Sequence, residues 1–126
     1  MKKIIVAIDD NKLRRNVIDV LKKDGRTVLE VSNENGFLIA FRKNPDAEAY
    51  IMDWNLPPND SYAALSLIRD RVWQTTPEAT VIITSNGPLD PAEQSMVDHL
   101  RDMGLKFEFH LALVLVEQLR RMERIA

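Results

Sequence analysis

The run Tyr50-Ile51-Met52-Asp53-Trp54-Asn55-Leu56-Pro57-Pro58 constrains this chain more than any other stretch. From Ala47 onward it is short and apolar, as a buried central strand would be, and two consecutive prolines forbid the hydrogen-bonded ladder from continuing. Asp53 is therefore predicted where a strand gives way to a loop. Two other apolar runs end in a similar way: Lys3 to Ile8 runs into Asp9-Asp10, and Thr80 to Ile83 into Thr84-Ser85. If these strands are parallel, their carboxyl ends share the sheet edge at which open α/β proteins bind ligands.

The rest of the chain supplies the alternation such a sheet needs. Lys3 to Ile8 is β-branched and nearly continuous, as in a strand buried on both faces. Asp10 or Asn11 can cap a first helix, which carries Leu13, Val17, Val20 and Leu21 at helical spacing and stops at Gly25. Arg26 to Ser32 reads as a second strand. Asn33 or Asn35 opens a second helix that ends at Asn44-Pro45, and Ala47 to Met52 is the third strand. Asp60 or Ser61 caps a third helix, broken at Thr75-Thr76-Pro77, and Ala79 to Thr84 is the fourth strand. Asp90 and Pro91 start a fourth helix that Gly104 ends. Leu105 to His110 forms a fifth strand, and Leu111 to about Arg124 a last helix.

Five strands alternating with five helices predict a doubly wound, flavodoxin-like parallel sheet in the order 2-1-3-4-5. With 126 residues and neither repeat nor linker-like tract, one domain spanning residues 1–126 is expected, with no output domain. A net charge of -2 gives no reason to expect nucleic acid or an anionic membrane as partner. The absence of cysteine excludes disulfides, thiolate metal sites and cysteine nucleophiles. The first apolar run is too short for a signal peptide or a membrane span, so a cytoplasmic location is expected.

In this topology the first, third and fourth strands are neighbours, and Asp9, Asp10, Asp53 and Thr84 converge. Carboxylates held this close either rise in pKa or bind a cation. An all-oxygen site that keeps several waters suits Mg²⁺, with Asp9, Asp10, Asp53 and a loop carbonyl, that of Asn55, as its surroundings. Asp53 is then a candidate nucleophile toward a phosphoryl group, giving an aspartyl phosphate, and the Thr84 hydroxyl a donor to one phosphoryl oxygen. Singly, Asp10 reads equally well as a helix cap and Thr84 as a turn residue. The ordered combination is what points to a site.

That combination resembles the receiver domain of bacterial two-component response regulators. Ile5-Val6-Ala7-Ile8-Asp9-Asp10-Asn11 is similar to the family's first strand and acidic pair, Asp53-Trp54-Asn55-Leu56-Pro57 to its phosphoacceptor loop, and Val81-Ile82-Ile83-Thr84-Ser85 to its fourth strand and switch hydroxyl. The resemblance spans essentially the whole chain. It implies a chemotaxis-regulator-like fold and Mg²⁺ on Asp10, Asp53 and the Asn55 carbonyl, with Asp9 reaching the metal through water. It also implies phosphorylation of Asp53 by a histidine kinase or phosphotransfer protein, with Thr84 sensing the phosphoryl group. Asn55 and Asn86 match positions that tune dephosphorylation in the family. The implied role is that of a phosphoacceptor signalling to a downstream protein, not of an enzyme.

The pattern fails in three places. The family's Lys-Pro at the end of the fifth strand has no match. Lys106 is expected at the start of that strand, four residues and roughly 13 Å from the site, and His110 is the only residue placed to substitute for it. Ser61 stands where the family usually has glycine. The last helix is apolar over more than one stripe, through Leu111, Leu113, Val114, Leu115, Val116 and Leu119. It is read either as a well-buried helix end or as part of a partner or homodimer surface made with the fourth helix and fifth strand. Trp54 is expected to shield the pocket or to cover a partner site, and Trp73 to finish the third helix against the core. The rival readings are a degenerate receiver that binds or dimerises without phosphorylation, and a small Mg²⁺-dependent phosphotransfer enzyme. The latter lacks an acid–base group, a phosphate loop and a cap domain.

Overall fold

The computed structural model describes residues 3–56, 62–74 and 79–122, with the side chains of residues 62, 63 and 71–74 left out. Its elements alternate without exception: β1 (Lys3–Ala7), α1 (Asn11–Lys23), β2 (Thr27–Val31), α2 (Glu34–Lys43), β3 (Ala49–Asp53), α3 (Tyr62–Gln74), β4 (Thr80–Ser85), α4 (Pro91–Asp102), β5 (Lys106–Leu111) and α5 (Ala112–Arg121). The strands form one parallel sheet in the order β2-β1-β3-β4-β5. This is the doubly wound arrangement expected from the alternation.

The apolar runs are continuous because the central strands are covered on both sides. One face presents Ile5, Ala7, Tyr50, Met52, Val81 and Ile83 to Phe37 and Phe41 of α2, Leu65 and Ile68 of α3, and Val97 and Leu100 of α4. The other presents Ile4, Val6, Ile8, Ala49, Ile51 and Ile82 to Val17 and Leu21 of α1 and Leu115 and Leu119 of α5. Successive residues of a strand point to opposite faces. Each central strand therefore needs apolar residues along its middle, and only end residues such as Lys3, Asp53, Thr80 and Ser85 are released to be polar.

Helix ends follow the expected chemistry. Asp10 caps α1, its Oδ1 accepting from the Leu13 N–H at 2.7 Å, and Asn33 caps α2 through the Gly36 N–H. Asp90 and Glu93 form a reciprocal capping box at α4, with Pro91 in its first turn. Gly25 takes a φ of 76° beyond α1, a left-handed turn that a side chain would strain.

Strand boundaries shift slightly from expectation. β3 runs on to include Asp53, and Leu111 is the last residue of β5 rather than the first of the final helix. That helix begins at Ala112 and runs to Arg121; the expected end near Arg124 lies outside the described residues. So do Asp60 and Ser61, the Pro57-Pro58 break and Thr75-Thr76-Pro77, as does the side chain of Trp73. Among the described residues no helix is long and apolar enough to cross a membrane.

Candidate functional site at the carboxyl edge of the sheet

The strand register sets the site. Asp53 of β3 is the cross-strand partner of Thr84, and Thr84 of His110, so the three form one row across the carboxyl edge. In that row they point to the side of the sheet covered by α1 and α5, with Ile51 and Ile82 one pleat below. At the open end of the row lies a cavity of about 340 Å³ lined by Asp9, Asp10, Leu13, Asp53, Asn55, Thr84, Ser85 and Asn86. All the residues singled out as a site are there except His110. Leu13 and Ser85 join them, brought in by the first turn of α1 and by the extension of β4.

Asp53 is held by the neighbouring strand. Its Oδ2 accepts the backbone N–H of Asp9 at 2.7 Å. Burial pushes its carboxyl above the ordinary 3.8, and the charges of Asp9 and Asp10 push it the same way. The Asp9 hydrogen bond and the more distant charge of Arg14 pull against this. The group is thus under the electrostatic load that a cation in the cavity would relieve.

Thr84 is wholly buried, and its Oγ1 has no hydrogen-bond partner among the described residues. A buried unpaired hydroxyl costs roughly 1–3 kcal/mol, and Thr84 lies on the cavity wall, where a group bound in the cavity could accept from it. The donor set fits Mg²⁺ in kind: hard carboxylate and carbonyl oxygens, of which the ion takes only one or two carboxylates. Among the described residues, however, no three acidic or imidazole groups are arranged to hold a metal ion. Asp10 uses Oδ1 in its helix cap, and Asp53 Oδ2 accepts the Asp9 N–H.

The far end of the row is different. Lys106 pairs with Thr80 at the start of β5, at the opposite edge from the cavity. His110 does not line the cavity. Among the described residues its Nε2 is buried without a hydrogen bond, and Glu108 Oε1 lies at 3.7 Å, too long for one. Beside it Leu111 and Val114 are partly open, and Leu113 is 94% exposed.

Two residues that sequence reasoning missed shape the site. Arg14, one turn into α1, sends its guanidinium back to the carbonyls of Ile8 and Asp9. Glu93 of α4 accepts the indole N–H of Trp54, and the Trp54 backbone N–H donates to the Thr84 carbonyl at 2.9 Å. Trp54 is therefore not a cover over the pocket or a partner site: it is 1% exposed and packs in the core beneath α4. The alternation of the strand carries over into the loop, so Tyr50, Met52 and Trp54 share the face opposite Asp53.

Three solved structures show the same architecture across nearly their whole length. The chemotaxis response regulator CheY4 of Vibrio cholerae is 16% identical, with a TM-score of 0.71, and 96% of this chain and 98% of that one are covered. The receiver domain of the Francisella response regulator 1452 is 20% identical, with a TM-score of 0.67 and coverage of 94% and 93%. The HemR receiver domain of Leptospira biflexa is 14% identical, with a TM-score of 0.70 and coverage of 98% of each chain. This chain has the response-regulator receiver fold. At such low identity the likeness is one of fold. No protein-family model and no curated protein matches the chain, so the receiver architecture here is carried by a sequence far from those structures.

Proposed function

We propose that this receiver-fold chain accepts a phosphoryl group on Asp53 and signals by protein contact. The observation that carries the reading is the buried Thr84 hydroxyl, unpaired among the described residues and facing the same cavity as Asp53. A phosphoryl oxygen bonded to Asp53 would meet that donor. In the transfer, a carboxylate oxygen of Asp53 forms a bond to phosphorus as the bond to the donor's leaving group breaks, and the leaving group takes the electron pair. The Asp9 N–H orients the carboxylate, Thr84 donates to the new phosphoryl oxygen, and Asn55 and Asn86 line the path of water to it. Mg²⁺, held by Asp10, Asp53 and the Asn55 carbonyl with Asp9 close by, would supply the charge neutralisation that the acidic cluster lacks. The phosphoryl donor would be a histidine kinase or phosphotransfer protein, in the cytoplasm.

A second reading has its own support. No lysine stands at the carboxyl end of β5, and the exposed Leu113 offers contact surface that does not depend on phosphorylation. In that reading the chain is an interaction or dimerisation module made through α4, β5 and α5.

Intact mass after incubation with acetyl phosphate and Mg²⁺ separates the two. The expected result is a gain of one phosphoryl group, absent in Asp53→Ala and absent when EDTA is added. No gain under conditions that label an ordinary receiver would leave the interaction module as the working description.

A further inference from the structure

The guanidinium of Arg14 is committed on every side. Its Nη1 donates to the carbonyls of Ile8 at 2.7 Å and Asp9 at 3.1 Å, its Nε to Glu30 Oε2 at 2.8 Å, and its Nη2 to Asn11 Oδ1. The side chain is only 13% exposed. One of those contacts has a particular target. The Ile8 carbonyl and the Asp9 N–H belong to the same peptide unit, and that N–H is the donor to Asp53 Oδ2. A peptide is planar and trans, so its carbonyl and N–H point in opposite directions. Fixing one end in space fixes the other. Arg14, the peptide and Asp53 thus form one line from cation to carboxylate, along which each hydrogen bond polarises the next.

The surroundings leave the loop little other freedom. The Ile8 N–H is bonded to Val31 of β2 at 3.3 Å, and Asp10 is engaged at the α1 cap. Glu30, on the neighbouring strand, anchors the guanidinium from outside the loop. What Arg14 adds is the angle at which the Ile8–Asp9 peptide meets the acceptor carboxylate.

We propose that Arg14 is a positioning residue for Asp53, acting through the Ile8–Asp9 peptide to hold the carboxylate in the orientation that accepts a phosphoryl group. It does not touch the reacting atoms. The proposal rests on Asp53 being the phosphoacceptor for its functional half, and on the hydrogen-bonded line alone for its structural half. The fork geometry is essential, because an ammonium on a flexible stem cannot reproduce a planar guanidinium bridging two carbonyls and a carboxylate.

The test uses the whole chain in three forms: wild type, Arg14→Lys and Arg14→Met. Two quantities are followed, the amide proton shift and exchange rate of Asp9 by NMR, and the rate of phosphoryl uptake from acetyl phosphate at saturating Mg²⁺. Loss of one charge-assisted hydrogen bond line is expected to speed Asp9 exchange and slow uptake, each by about tenfold. Exchange in the core strands should stay unchanged, and Lys should behave like Met. A purely structural role would move core exchange and leave saturated uptake intact, which would overturn the proposal. Full rescue by Lys would overturn it as well, since charge without the fork would then suffice. If Arg14→Met does not fold, Arg14→Lys decides on the same readouts. If wild type takes up no phosphoryl group, the proposed function fails, while the Asp9 amide still tells whether Arg14 sets that peptide.

Discussion

On the β1 and β3 side of the cavity, neighbouring groups hold one another in place. Asp53 takes the Asp9 N–H, Arg14 takes the carbonyl of the same peptide, Asp10 caps α1, and Trp54 is bonded to both β4 and α4. On the β5 side, His110 has a buried nitrogen with no hydrogen bond among the described residues, and Leu111, Leu113 and Val114 open to solvent. The contrast separates two tasks. Accepting a phosphoryl group needs a carboxylate fixed before the reaction, and preorganised dipoles are what make such a site effective. Sensing it through a fixed cation at the end of β5 needs a residue that this chain does not place there. The Asp53 side is held by hydrogen bonds between neighbouring elements, and the β5 side carries open apolar surface.

The largest effect should come from loosening the built side at Trp54. Trp54→Phe keeps a ring in the core but removes the donor to Glu93, which also closes the capping box of α4. A loss of about 1–3 kcal/mol in urea unfolding is expected, from one hydrogen bond to a charged acceptor and some lost packing. An unchanged midpoint would mean that the Trp54–Glu93 contact holds nothing, and the contrast between the two sides would weaken.

A smaller effect, with a definite pH dependence, comes from Asp53 itself. Its carboxyl is raised in the fold, chiefly by burial. The folded state therefore holds its proton to higher pH than the unfolded chain, and stability falls as pH rises from the ordinary 3.8 through the folded value. Asp53→Asn removes that loss and can still accept the Asp9 N–H. It should unfold at higher temperature than wild type at neutral pH without Mg²⁺, by a few degrees, and the gap should close once pH falls below the ordinary carboxylate range. A gap that persists in acid would assign the gain to something other than the buried charge.

Much of this was legible in the sequence because the central strands are buried on both faces. β1, β3 and β4 announce themselves as unbroken apolar runs, and the residue at which each turns polar marks the sheet edge. That is enough to bring Asp9, Asp10, Asp53 and Thr84 to one cavity and to set Lys106 at the wrong end of β5. Arg14 was not legible, because two of its partners are backbone carbonyls, which no side-chain pattern encodes, and a third, Glu30, lies on another strand. A cue was available in Asp10 and Arg14, four residues apart and so on one helical face at the same end of the sheet. Trp54 was misjudged by taking a loop residue to face solvent, when the period of two from Tyr50 and Met52 already turned it inward. The β5–α5 boundary was ambiguous since Phe109 to Val116 satisfies both strand alternation and helical spacing, and only the pairing of Ser85 with Leu111 decides it.

The smallest effect on stability, and the one that probes the open side, belongs to Leu113. At 94% exposure its side chain contributes almost nothing to the fold, and Leu113→Ser should change stability by less than about 0.5 kcal/mol. The neighbouring Leu111 and Val114 make it the centre of an exposed apolar patch, and such patches mark contact surfaces. If α5 meets a second copy of this chain, sedimentation at increasing concentration should show wild type associating and Leu113→Ser remaining a monomer with the same melting temperature. Stability lost without a change in association would put Leu113 in the core and erase the difference between the two sides. Association unchanged in the variant would leave the patch to a different protein, and the search for that partner would then begin from the first turn of α5, next to the cavity that holds Asp53.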